Sequence, residues 1–183
     1  MIQEQTLSRR LGLTTHVSPL DYQIRALARR HPSATAATVE DWLVDVANAR
    51  GARVVQRDLA AGADFLPPTA GELSTEELVA GICLLQRRDR PQMLRLAAQF
   101  VTRGAVDLPR LIRLARRERI EVVLGELARQ ALRVDPGHGA WLALAEAFPA
   151  RRSLRSPILH WQRLAWPVMS SRGCNAERWH LVS

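Results

Sequence analysis

Between residues 73 and 149 apolar positions recur at the three-to-four spacing that lines one side of an α-helix, with little interruption. Ser74 with Glu77 forms a capping box, and Leu73 and Leu78 stand where a hydrophobic staple would span it. A helix is therefore predicted from there, with Leu78, Ile82 and Leu85 inward. Pro91 opens a second helix, with Met93, Leu96, Ala97, Phe100 and Val101 inward, and Gly104 stops it. Asp107 caps a third, tolerates Pro109 in its first turn and turns Leu108, Leu111, Ile112 and Ala115 inward. A fourth runs from about Ile120 to Val134 on Val123, Leu124, Leu127, Ala128 and Ala131. No glycine or proline separates it from the third, but the consecutive charges from Arg116 to Arg119 predict a break. Asp135-Pro136-Gly137 ends the fourth, and Ala140 to Phe148 supplies a fifth, anchored by Trp141 and Leu144.

Upstream, Ser18-Pro19-Leu20-Asp21 reads as a helix start, with Leu20, Ile24, Leu27 and Ala28 on one face and Pro32 beyond its end. Thr38 and Asp41 start another, with Val39, Leu43, Val46 and Ala47 inward and Gly51 closing it. Residues 52 to 56 are the best strand candidate, yet a lone short strand needs a partner, and only Trp179 to Val182 looks comparable. Residues 60 to 71, with Pro67-Pro68, read as loop. Short helices with short connections pack against their sequence neighbours. The expected fold is mostly α, an antiparallel helical bundle or short helical array with at most a minor β element. It divides into an N-terminal helical subdomain (1–60), a linker or loop (61–72), a bundle core (73–149) and a basic Trp-rich tail (150–183) that packs on the bundle or on a partner.

Some local resemblances are present. QTLSRRLGLT, residues 5 to 14, resembles the opening of a bacterial helix-turn-helix, although Pro19 falls where a recognition helix would run. Residues 131 to 148 resemble the junction of two tetratricopeptide units, without a second copy at the 34-residue period of that fold. Leu111 to Leu124 is similar to a helix pair beside some bacterial nucleotidyltransferase domains. The Gly-Ser and Asp-x-Asp of those enzymes are absent, so this resemblance implies helical packing alone.

Composition adds charge to this frame. All 26 basic residues are arginine and the net charge is +8. Codon bias accounts for arginine over lysine but not for basic over acidic, so an anionic partner is expected. Residues 87 to 119 hold ten arginines against Asp89, Asp107 and Glu118, and residues 150 to 183 hold six against Glu177. Cys83 and Cys174 are too few for a disulfide framework, and neither a signal peptide nor a membrane-length apolar run is present. These features predict a cytoplasmic, bacterial protein.

Candidate chemistry is sparse. No phosphate-binding glycine loop, HExxH, paired CxxC or GxSxG occurs, and His16, His31, His138, His160 and His180 lie far apart. Glu40, Asp41 and Asp45 are the one tight carboxylate group; they read as a solvated acidic face, or as part of a divalent-cation site lacking a third ligand. No cofactor or metal is expected. The positive signal is an arginine stripe: Arg110, Arg113 and Arg117, with Arg116 and Arg119 beside them, opposite Leu108, Leu111 and Ala115. In the tail, Arg151, Arg152 and Arg155 precede Trp161, Trp166 and Trp179, aromatics suited to core or dimer packing or to base stacking. The expected function is a non-enzymatic, nucleic-acid-binding regulator or accessory protein, binding DNA or RNA and dimeric through the tail. The alternative is a protein-interaction module, antitoxin- or adaptor-like, that meets an acidic partner; an enzyme using Asp41 and Asp45 ranks third.

Overall fold

Helices begin where the capping residues place them. The computed structural model describes residues 18–53, 65–85 and 93–149, which form seven α-helices and no strand. They are α1 (Pro19–Arg30), α2 (Val39–Ala49), α3 (Thr75–Leu84), α4 (Met93–Thr102), α5 (Leu108–Glu118), α6 (Glu121–Ala131) and α7 (Gly139–Ala147). The Ser18 hydroxyl accepts the Asp21 amide at 3.0 Å, and Asp107 accepts the Arg110 amide at 2.9 Å. Both capping boxes close reciprocally, Thr38 with Asp41 and Ser74 with Glu77. The mostly helical array expected from the sequence is the fold observed.

Helix α3 is the hub. Leu78, Val79, Ala80, Ile82 and Cys83 are all buried, leaving no polar stripe, because α1, α2, α4 and α5 all pack on it. A Cβ on Gly81 would overlap the Ile24 side chain, so the bare glycine lets α1 approach closely. Burial pushes the Cys83 thiol up to about 12, which makes it an inert core residue. Helices α6 and α7 pack on each other and against α4 and α5, with Trp141 and Leu144 filling that end of the core. A single apolar cluster runs from Leu20 and Trp42 through to Phe148.

Helix ends also follow the sequence. Gly51 and Gly104 take left-handed φ values of 86° and 67° after α2 and α4. Between α5 and α6 the same turn is made by Arg119, at φ 59° and ψ 38°, with the Ile120 amide donating to the Ala115 carbonyl at 3.0 Å. The predicted break is therefore present, but a non-glycine residue carries it.

One expectation changes. Glu40, Asp41 and Asp45 do not form a solvated face; they are 6%, 5% and 0% exposed. The segment before α2 folds over them: Asp45 accepts the Ser33 and Thr35 hydroxyls at 2.6 and 3.0 Å, and Asp41 closes the Thr38 box. Hydroxyl and amide partners replace water around Asp41 and at Oδ2 of Asp45, which offsets part of the cost of burying them. Ala52 and Arg53 lie in coil, while the rest of the strand candidate, Pro91, and the helix-turn-helix-like segment 5 to 14 lie outside the described residues. Arg50 fastens the loop ahead of α3, donating to the Leu73 and Pro68 carbonyls at 2.6 and 3.2 Å. Among the described residues no helix is long and apolar enough to cross a membrane, and no group of three His, Cys, Asp or Glu side chains could hold a metal ion.

Candidate nucleic-acid interface

Helix α5 is anchored by Leu111, Leu114 and Ala115, which are buried, while Leu108 and Ile112 are half-buried at its flanks. Arg110, Arg113, Arg116 and Arg117 are exposed on the other side, and Arg119 is exposed just past the end. At 100° per residue Arg110, Arg113 and Arg117 fall within one sixth of the helix circumference, and the rise of 1.5 Å per residue spreads them over about 10 Å. That length matches about three phosphates at the roughly 3.4 Å rise of one DNA strand.

Two of the five pair with carboxylates, one on the same helix and one brought in by the fold. The Glu118 carboxylate, 1% exposed, accepts the Ser18 hydroxyl at 2.5 Å and the Arg117 Nε at 2.7 Å. Glu76, from the first turn of α3, accepts the Asp107 amide at 2.8 Å and lies 3.7 Å from the Arg110 guanidinium. Burial pushes the Glu76 carboxyl up, but the Asp107 amide, its own backbone, the Ser74 hydroxyl and Arg110 outweigh it and hold it below the ordinary value. It therefore stays ionised at neutral pH. Arg113, Arg116 and Arg119 have no carboxylate partner among the described residues. Arg116 and Arg117 also sit in the last turn of α5, where the helix dipole favours cations without any ligand.

Arg103 and Arg95, counted with this cluster by sequence distance, do not belong to it. Arg103 donates to the Gly51 carbonyl at 2.8 Å, joining the ends of α2 and α4. Burial lowers the pKa of Arg95, which is half-buried on α4. Arg151, Arg152, Arg155, Trp161, Trp166 and Trp179 lie outside the described residues.

A second exposed face escaped the sequence reading, which assigned α1 only an inner side. Tyr22, Arg25 and Arg29 recur at i, i+3 and i+7, opposite the buried Leu20, Ile24 and Leu27. The same wheel that located the core residues would have located these. Tyr22 is 74% exposed. Ser18, the cap just before α1, is itself buried, and its hydroxyl bond to Glu118 ties the start of α1 to the C-terminal end of α5. No protein-family model, curated protein or solved structure matches the chain. Its functional reading therefore rests on its own geometry.

Proposed function

We propose that this protein is a non-enzymatic, nucleic-acid-binding regulator or accessory factor that meets phosphates with the exposed face of α5. The carrying observation is that Arg113, Arg116 and Arg119 stand exposed along the second half and just past the end of a core-anchored helix, with no carboxylate partner among the described residues. The planar guanidinium fork matches phosphate oxygens in geometry, and no internal carboxylate competes for it here. Binding of DNA and RNA fragments by the full chain across a salt series tests the reading. Each phosphate contact contributes about 0.7 to 0.9 to the slope of log affinity against log salt, so Arg113→Ala with Arg116→Ala should flatten it by about 1.5. Absence of binding at low salt would sink the proposal.

A protein-interaction role is the second reading. It is supported by Arg110 and Arg117, which already bind carboxylates within the chain at 3.7 and 2.7 Å, the chemistry an acidic partner would offer.

A further inference from the structure

A groove of about 420 Å³ lies between the second half of α1 and the start of α2. Arg25 and Arg29 of the α1 outer face line it, and Ala36, Val39 and Trp42 give it apolar walls. Arg25 pairs with Asp21 at 2.9 Å, but both side chains are substantially exposed, so the pair is weak and exchangeable. Arg29 is exposed and has no acidic partner among the described residues. Ser33, Thr38 and Glu40 also line the groove, and the Glu40 carboxylate disfavours a phosphate inside it.

Charge therefore changes along the surface. Cations lie on the outer α1 face and at the groove edge, whereas the groove itself mixes apolar walls with the hydroxyls of Ser33 and Thr38 and one carboxylate. Tyr22, one turn before Arg25, presents an exposed ring on the same face. We propose that this face and groove form a track for single-stranded nucleic acid. Tyr22 stacks on one base, Arg25 and Arg29 hold phosphates, and an unpaired base enters the groove. The bases of an intact duplex are stacked and paired, so neither the ring nor the groove could engage them. The proposal rests on the nucleic-acid reading and narrows it to single strands.

The test compares a labelled single-stranded oligonucleotide with the duplex of the same sequence, using the full chain, at several salt concentrations. The wild type should prefer the single strand. Tyr22→Ala should weaken single-strand binding about tenfold, in the range alanine substitution gives for a stacked base, while Tyr22→Phe retains it. The salt slope should not change, because the ring carries no charge. Tyr22 is too exposed for these substitutions to threaten folding. Ala37→Phe, which places a ring at the groove wall, should also weaken single-strand binding and leave duplex binding alone. Equal affinity for both forms, with no effect of Tyr22→Ala, would overturn the track and leave the α5 reading standing. Absence of binding to either form overturns both. Displacement by polyglutamate as readily as by unlabelled strand would overturn the track in favour of an acidic protein.

Discussion

Replacing Arg119 by glycine should give a protein that is more stable and binds nucleic acid less well. Arg119 holds φ 59°, the left-handed region, and its turn is closed by backbone bonds such as Ile120 to Ala115, which glycine retains. The left-handed conformation costs an L-residue about 1–2 kcal/mol. Glycine adds unfolded-state freedom that returns about 0.4–1 kcal/mol of this gain. The net is about 0.5–1 kcal/mol, and a chain of this size gains about 2–4 °C in Tm per kcal/mol, so a rise of about 2 °C is expected by calorimetry. The substitution also removes one exposed cation, and the salt slope should fall by about 0.7 to 0.9. Arg119→Ala separates the effects, because it keeps the strained conformation but loses the charge: affinity should fall equally with no rise in Tm. A lower Tm for Arg119→Gly would refute the strain argument. An unchanged slope in both variants would remove Arg119 from the phosphate surface.

Glu118→Gln removes the charge that neutralises Arg117 and should strengthen nucleic-acid binding several-fold at low salt, while weakening charge-assisted bonds worth about 1.5–3 kcal/mol in a urea titration. Unchanged affinity would show that Arg117 faces no ligand. Gly125→Ala should destabilise the fold by about 1–3 kcal/mol in the same titration, since its Cβ would lie 2.5 Å from the Phe148 carbonyl oxygen, a backbone atom that cannot step aside. Glu72 is held below the ordinary carboxylate value by the Thr69 amide and by His31. Its contribution is present above the unfolded pKa of about 4.3 and is lost as pH falls through the lower folded value, so amide protection in residues 66–73, relative to the intrinsic exchange rate, should fall in acid below about pH 4. Faster exchange there as pH rises from 5 to 7, beyond the intrinsic base dependence, would contradict this assignment.

What the sequence determined by itself was local. Caps at Ser18, Thr38, Ser74 and Asp107, glycine stops at Gly51 and Gly104, and the 3.6-residue period are set by residues within a turn or two of one another, so the helices and most of the core were legible. The five-arginine site was legible only as a stripe. Which of its charges stay free depended on Glu76, thirty-four residues before Arg110, and on the Ser18 contact that holds Glu118, one hundred residues away. Tertiary packing likewise buried Asp45 beneath Ser33 and Thr35, turning an expected acidic surface into an internal hydrogen-bonded support. Helix propensity and periodicity decay within a few residues, whereas a charge is paired or left exposed by whichever group the fold brings within about 4 Å. That is why the helices could be read along the chain, while the free cations and the groove beside Arg29 were decided only by how α1, α2, α3 and α5 pack.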